Sequence, residues 1–190
     1  MRKIYLIIYY ALAQHLPSHP MPTWKFSYAF RRFLVKRLFA VCGDGVVVKD
    51  HAYFGDGGTL RIGYRAVIGI NSRIDHDVTI GDDVMMGPDV VIMSGGHAFE
   101  ATDISINQQG AIERKPVVIA RDVWIGTRVV ILPGVEIGEG SVIGAGSIVS
   151  RSIPPFSIAC GNPAMVVGTR GERTARAALA EDDMSVSGYA

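Results

Sequence analysis

The chain of 190 residues has only two cysteines, Cys42 and Cys160, and they lie far apart. Small secreted domains held by disulfide bonds need more cysteines than this, so a reducing compartment, the cytoplasm, is expected. Glycine-rich phosphate loops of the P-loop and dinucleotide-binding types are also missing. The apolar run at residues 4–13 is too short for a membrane-spanning helix, which needs about 20 residues. These absences argue against a disulfide scaffold, a nucleotide-loop protein and a membrane-spanning protein.

Acidic residues are absent from the first 43 positions. That segment carries a formal charge of +7, whereas the remainder has 12 basic and 18 acidic residues and a charge of −6, so the net charge of +1 hides a strong asymmetry. No nucleic-acid-binding motif accompanies the basic residues, so a nucleic-acid partner is not expected. The seven cations are Arg2, Lys3, Lys25, Arg31, Arg32, Lys36 and Arg37.

A six-residue repeat runs through residues 62–91 and again through 119–153. Each unit begins with a bulky aliphatic residue, usually followed by Gly, and has a small or branched residue in its fifth place. A strand has a period of two and a helix a period of 3.6, so neither produces a strict six. The first places are Ile62, Ile68, Ile74, Ile80, Met86, Ile119, Ile125, Ile131, Ile137, Ile143 and Val149.

The period of six predicts a coil with three flat faces, in which each unit makes one short strand and one corner. The first-place residues should point inward. The glycines of the second place suit a corner that needs unusual backbone angles or a close approach. One coil cannot bury its own apolar face, so the coils must stack on one another.

With degenerate units beginning at Cys42, Val48 and Phe54, these repeats resemble those of the hexapeptide-repeat acyltransferases. The resemblance implies an all-β fold, a left-handed parallel β-helix, over residues 42–167. The left hand comes from the resemblance, because the general crossover rule would give the opposite. Residues 1–41 would form a basic, helical cap, and residues 168–190 a short C-terminal helix or tail.

Residues 93–118 separate the two runs of repeats and have no periodicity. Loops of this length are uncommon in compact domains and are usually functional. A Gly-Pro unit at 87–88 precedes the loop, His97 lies within it, and a Lys-Pro-Val return at 115–117 leads to Asp-Val-Trp-Ile-Gly at 122–126. This order of motifs resembles that of the maltose and galactoside O-acetyltransferases and of acetyltransferases from surface-polysaccharide clusters.

The resemblance implies direct transfer of an acetyl group from acetyl-CoA to a sugar hydroxyl, with His97 as the catalytic general base. An imidazole with an ordinary pKa near 6.5 can accept the hydroxyl proton at neutral pH. Asn71 is implied as a second site residue that contacts the acceptor, and Asp75, His76 and Asp77 are alternatives for that role.

The same resemblance places coenzyme A in a groove along the second run of repeats. It implies a homotrimer with active sites between subunits and a saccharide acceptor, and no metal is expected. Two arginines could meet the phosphates of coenzyme A as forked donors. The residues implied for the groove are Trp124, Thr127, Ala145, Ser150, Arg151 and Arg170.

Three other functions remain open at this point. An N-acyltransferase acting on a nucleotide-linked amino sugar could use the same base. A non-catalytic scaffold is a second alternative, although a loop histidine and Trp124 argue against it. A metal-dependent γ-class carbonic anhydrase would need three zinc-binding histidines with two in a close pair, and only His51, His76 and His97 are available, spaced by 25 and 21 residues.

Residues 24–40 show the spacing of an amphipathic helix. Its apolar side would dock on the first coil, because an open coil end exposes strand edges. Its basic side could rest on anionic lipid at the inner face of the cytoplasmic membrane, and the two roles are compatible. The apolar stripe consists of Phe26, Phe30, Phe33, Leu34 and Leu38.

Overall fold

The computed structural model describes residues 1–171, in which the repeats wind into a parallel β-helix with three sheets as its faces. Sheet A contains β1 (Val41–Cys42), β3 (Arg61–Ile62), β6 (Val78–Ile80), β9 (Val117–Ile119) and β12 (Glu136–Ile137). Sheet B contains β2 (Val47–Val48), β4 (Val67–Ile68), β7 (Met85–Met86), β10 (Trp124–Ile125) and β13 (Val142–Ile143), and it ends with β15 (Ser157–Gly161) and β16 (Ala164–Thr169). Sheet C contains β5 (Arg73–Ile74), β8 (Val91–Ile92), β11 (Val130–Ile131) and β14 (Ile148–Val149).

Among the strands of residues 1–171, all pairs between coils are parallel, and only the final pair, β15 with β16, is antiparallel. The predicted fold class, a parallel β-helix behind a helical N-terminus, is confirmed. The proposed C-terminal helix or tail falls mostly on residues 172–190, which lie outside the described residues. Within residues 1–171, no helix combines the length and apolarity required to cross a bilayer.

The interior is built from the first and fifth places of the repeat. The first-place residues, from Ile62 to Val149, are all buried, as predicted. The fifth places are buried as well, and these are Ala66, Ser72, Val78, Val84, Val90, Val123, Val129, Val135, Ser141, Ser147 and Ile153. Each six-residue unit therefore contributes two residues to one continuous core, which explains the strictness of the repeat.

Close approach and a left-handed backbone both favour glycine at the corners, but they occur at two different places of the repeat. The second-place glycines are needed for close approach, since a Cβ on Gly69 would overlap the carbonyl oxygen of Gly87 in the next coil. The left-handed backbone occurs in the fourth place, where φ is positive and where most residues are not glycine. Asn and Asp tolerate this conformation better than other side chains. The non-glycine residues in this place are Arg65, Asn71, Asp77, Asp83, Asp89, Asp122 and Arg128.

Two helices, α1 (Arg2–Ala11) and α2 (Trp24–Leu38), cover the open end of the first coil, with a 3-10 turn at Ala13–His15 between them. An open coil end leaves strand carbonyls without partners. The helices supply the donors: Arg32 binds the carbonyl of Val46 at 2.7 Å, and Arg31 binds that of Val48 at 2.6 Å. Tyrosine hydroxyls of α1 donate in the same way to the carbonyls of Ala52 at 2.9 Å and Gly55 at 2.8 Å, through Tyr9 and Tyr10.

Arg31, one of the seven cations of the basic N-terminal segment, is fully buried. Its guanidinium also donates to the carbonyls of Ala13 at 3.0 Å and Leu16 at 2.8 Å, and to Ser18 Oγ at 3.2 Å. One arginine thereby connects α2, the turn after α1 and the edge of the first coil.

The predicted apolar stripe of α2 is partly wrong. Phe26 and Phe33 are exposed, Phe30 is half-buried, and only Leu34 and Leu38 of the stripe are fully buried. The helix is rotated relative to the prediction because its buried side must bring donors to the coil edge as well as apolar groups. The residues of α2 that are buried are Ser27, Tyr28, Arg31, Leu34, Val35 and Leu38.

Candidate active site

The long loop leaves the β-helix after β8 and returns at β9, at the corner between sheets C and A. It is an ordered hairpin. Lys115 N donates to the carbonyl of Ser94 at 2.7 Å, and Ala98 N donates to that of Gly110 at 3.1 Å. His97 pairs with Ala111 as an antiparallel bridge between these two contacts. The hydrogen bonds between the two arms fix the backbone that carries the histidine.

The imidazole of His97 is exposed. Within residues 1–171, neither ring nitrogen has a hydrogen-bond partner. A structural histidine is usually held by such partners, whereas a general base must keep one nitrogen available for the substrate. The side chain is therefore placed as a base would be, on a braced backbone and open to a substrate or to a neighbouring subunit.

Both arms of the hairpin are anchored on the preceding coil. The carboxylate of Asp75 accepts the Ser94 N–H at 3.3 Å, and the carboxylate of Asp77 lies 3.8 Å from the guanidinium of Arg114. Burial raises the pKa of the Asp75 carboxyl, but the backbone N–H groups of His76 and Ser94 lower it by more, so the pKa lies below its ordinary value. These two aspartates position the loop that carries His97.

Asn71 does not lie on this corner. It occupies the corner between sheets B and C, in the left-handed place of its repeat. Its side-chain amide donates to Asp89 Oδ1 of the next coil at 2.8 Å. This conformation and this contact account for an asparagine here without any catalytic role. Within one chain, Asn71 and the loop of His97 therefore lie at opposite edges of sheet C. Asn71 and His97 could belong to one site only if a second subunit supplied one of them.

A cavity of about 280 Å³ lies beside the root of the loop, on the outer face of sheet C. Tyr53, Arg73, Asp75, His76 and Met93 line it, and the guanidinium of Arg73 lies 4.8 Å from the centre of the Tyr53 ring. An aromatic ring, a guanidinium and a carboxylate suit a polyhydroxylated molecule. Of these residues, only Asp75 and His76 are named from the sequence, as alternatives to Asn71 for the role that the family resemblance implies, because Tyr53 and Arg73 are ordinary outward positions in the sequence.

Trp124 lies on the outer face of sheet B and is 53% exposed. In the strand pairing its neighbours are Met85 and Val142. These residues line a second cavity of about 280 Å³, and Arg170 reaches it from the corner between sheets A and B. Arg170 Nη1 donates to Asp122 Oδ2 at 2.7 Å and to the Gly140 carbonyl at 3.0 Å. The structure therefore brings Trp124 and Arg170 together, with Arg170 already paired to a carboxylate.

The other predicted groove residues fall on two different corners. Thr127 and Ala145 are exposed and stacked at the corner between sheets B and C, where Thr127 Oγ1 donates to the Pro88 carbonyl at 3.0 Å. Ser150 and Arg151 are exposed after β14, at the corner between sheets C and A. These two pairs lie at the two edges of sheet C. Trp124 lies on sheet B, and Arg170 lies at the corner between sheets A and B.

The histidines His51, His76 and His97 belong to three separate places in the fold, the first near Asp50 and the second at the Asp75 corner. Across residues 1–171, no three side chains of the metal-binding types converge. The arrangement that a three-histidine zinc site would need is not present in the described part of the chain.

Known proteins are similar to this chain in the sequence of the repeats and over most of its length. Residues 116–151 match the bacterial transferase hexapeptide family (six repeats). Galactoside O-acetyltransferase of Escherichia coli (strain K12) is 39% identical over 158 residues, 82% of this chain and 74% of that protein. A putative colanic acid biosynthesis acetyltransferase of Escherichia coli (strain K12) is 31% identical over 147 residues, 76% of this chain and 78% of that protein.

The three-dimensional likeness covers the cap as well as the β-helix. A solved galactoside acetyltransferase in complex with coenzyme A matches with a TM-score of 0.76 at 34% identity, over 92% of this chain and 82% of that chain. Identity at this level across most of both chains exceeds what a shared fold alone would give. The chain therefore belongs to the hexapeptide-repeat acetyltransferases that include galactoside O-acetyltransferase.

Proposed function

We propose that the protein is an acetyl-CoA-dependent O-acetyltransferase that acts on a hydroxyl group of a sugar or saccharide. The observation that carries the proposal is the exposed imidazole of His97, free of partners in the described chain and held on a hydrogen-bonded hairpin. The relatives support the same activity by their names. The cavity at the Asp75 corner, which has Arg73, Asp75 and His76 in its lining, supports a saccharide as the acceptor.

His97 accepts the proton of the acceptor hydroxyl, because a neutral hydroxyl is a poor nucleophile until that proton is removed. The acceptor oxygen attacks the thioester carbonyl carbon of acetyl-CoA, so that a C–O bond forms and the C–S bond breaks. The proton held by His97 then passes to the departing sulfur atom. Asp75 and Asp77 act through the loop, since they fix the two arms between which the imidazole is presented.

Sheet B fits the donor. A pantetheine arm is long, thin and largely apolar, and the outer row of this sheet offers Val47, Val67, Met85 and Trp124 in register. All four line a further cavity of about 300 Å³ along this face. Trp124 would lie beside the arm, with Thr127, Ala145 and Arg170 at the two edges of this face. Ser150 and Arg151, at the far corner of sheet C, would join the coenzyme A site from a neighbouring subunit.

A substrate screen tests the activity and separates it from N-acylation. Release of free thiol from acetyl-CoA should rise with neutral mono- and oligosaccharides and should stay at background with nucleotide-linked amino sugars. The physical reason is the acceptor cavity, which offers single polar contacts and no large cationic site for a nucleotide diphosphate. Thiol release that depended on an amino sugar, with N-acetyl product by mass spectrometry, would establish the alternative activity instead.

We also propose a homotrimer with active sites between subunits. The outer row of sheet B is apolar and that of sheet C is apolar except for Arg73, whereas the row of sheet A includes Arg61, Thr79 and Glu136. Exposed apolar patches mark contact surfaces. The row of sheet B contains Val47, Val67, Met85, Trp124, Val142 and Ile158. The row of sheet C contains Tyr53, Arg73, Val91, Val130 and Ile148. Contact between these two faces would bring the loop of one chain to the groove of the next.

Subunit mixing tests the shared site. His97→Ala removes the base, and Ala145→Trp fills the proposed groove at an exposed position that should tolerate the ring. Each variant alone should be nearly inactive. If each site takes its base from one chain and its groove from another, one of the three sites in every mixed trimer is intact. Random mixing of equal amounts makes about three trimers in four mixed, so about a quarter of the wild-type activity returns.

The matched control carries both substitutions in one chain. When it is mixed with wild type, the activity should not exceed that of the wild-type chains present. Sedimentation must show that each variant keeps the wild-type mass. Mixed species of correct mass without any recovered activity, or a fully active monomer, would rule out the shared site.

We propose a cytoplasmic location with peripheral contact at the inner face of the cytoplasmic membrane. Two widely separated cysteines and the use of acetyl-CoA support the compartment. The charge of +7 on residues 1–43 supports the contact, because the cytoplasmic leaflet is negatively charged.

A further inference from the structure

The outer sides of α1 and α2 are apolar at positions where a solvent-facing helix would be polar. On α1, Ile4 and Ile7 point away from the side on which Tyr9 reaches the first coil, and they are 59% and 66% exposed. On α2, Phe26 and Phe33 lie opposite the buried Arg31 and are 65% and 46% exposed. Each helix of the cap therefore has an exposed apolar stripe that does not pack against the β-helix.

Aromatic contacts join the two stripes into one surface. The rings of Tyr5 and Phe33 meet edge to face, with centroids 6.3 Å apart. The guanidinium of Arg37 lies 3.6 Å from the centre of the Phe33 ring and 5.4 Å from that of Tyr5. We define the cap face by its exposed apolar residues and its cations, which are Ile4, Ile7, Phe26, Phe33, Lys3, Lys25, Lys36 and Arg37.

The charge of the cap face has one sign. No acidic residue occurs in residues 1–43, and the acids that follow pair at the rim, Asp44 with Lys36 and Asp56 with Arg2. A second copy of this face would bring like charges together, so self-association through it is disfavoured. Exposed isoleucine and phenylalanine beside lysine and arginine are the composition of helices that lie in a lipid interface.

We propose that the cap face binds the surface of an anionic bilayer. Ile4, Ile7, Phe26 and Phe33 enter the boundary between headgroups and acyl chains. Lys3, Lys25 and Arg37 contact lipid phosphates, while Lys36 stays paired with Asp44 at the rim. Arg31, Arg32, Tyr9 and Tyr10 hold α1 and α2 on the first coil, so the face is preformed and binding orders no new segment. This inference develops the proposed location but is independent of the acetyl-transfer chemistry.

Vesicle flotation of the full-length protein without acetyl-CoA tests the proposal. The protein should float with vesicles containing phosphatidylserine or phosphatidylglycerol at low salt, and should remain in the dense fraction with phosphatidylcholine vesicles or at high salt. Lys25→Glu should lower the partition coefficient by about 10- to 30-fold, since each charge near the surface changes it by roughly fivefold. Ile4→Gln with Ile7→Gln should lower it by about tenfold, because apolar burial is lost.

Matched controls exist on the β-helix. Arg61→Glu makes the same charge change on the outer row of sheet A, and Met165→Gln with Val167→Gln makes the same polarity change at side chains of similar exposure on β16. Both control variants should float like the wild type. Wild-type protein that stays in the dense fraction with anionic vesicles at low salt would overturn the proposal, as would equal losses in the cap and control variants. Acetylation of a free saccharide, measured without vesicles, reports the catalytic proposal separately.

Discussion

Replacement of His97 by Ala is expected to lower kcat by about 10²- to 10⁴-fold, the usual contribution of a general base. The imidazole is exposed and has no partner in the described chain, so its loss should remove a proton acceptor without opening a cavity or breaking a hydrogen bond. Thermal unfolding and coenzyme A binding by calorimetry should therefore match the wild type. Thiol release in the presence of an acceptor saccharide measures the loss.

His51→Ala is the matched control. This histidine is also exposed, at a corner of the first coil beside Asp50, and it is outside the proposed site. Its replacement should leave kcat and the KM for acetyl-CoA within about twofold of the wild type. Near-normal turnover in His97→Ala would end the assignment of the base, and an equal loss in both variants would point to a general effect on the fold.

Replacement of Arg31 by Met is expected to cause a large loss of stability in the cap. The substitution fills much of the volume but leaves the carbonyls of Leu16 and Val48 without donors, while the carbonyl of Ala13 keeps only the N–H of Leu16. Each buried, unsatisfied carbonyl costs about 1–3 kcal/mol, so the cap should loosen by at least about 2 kcal/mol. Because coils contact only their neighbours, the damage should be concentrated at the N-terminal end.

Hydrogen exchange measures this loss locally. The amides of Asp50, His51 and Phe54 donate to Ser18, Gln14 and Tyr10 of the cap, so they should exchange faster in Arg31→Met than in the wild type. Arg32→Met is the control, since Arg32 is half-buried and holds one coil carbonyl, and it should cost about 1 kcal/mol. Unchanged exchange at these three amides in Arg31→Met would contradict the role given to this guanidinium.

The sequence determined the β-helix because the requirement behind it is local and recurs in every coil. The first-place and fifth-place residues, such as Ile68 and Ser72, are buried by the geometry of a single turn, so a strict period of six predicts both the fold and its core. Residues 93–118, which include His97, interrupt this regular repeat. The requirements of the fold do not explain that segment. The family resemblance then supplied the roles of the site residues, which remain predictions.

Only the tertiary structure decided which coils and corners meet, because those contacts join residues far apart in the chain. Asn71 and Asp89 are 18 positions apart, and Arg31 meets a carbonyl 17 positions away, on a coil edge that no helical periodicity reveals. For that reason the sequence placed Phe26 and Phe33 on the inner face of α2, whereas the structure leaves both exposed and buries Arg31 at the coil edge instead. The apolar stripe of α2 is divided because a coil end offers unpaired carbonyls as well as apolar surface, so hydrogen bonding and hydrophobic burial together fix the rotation of the helix.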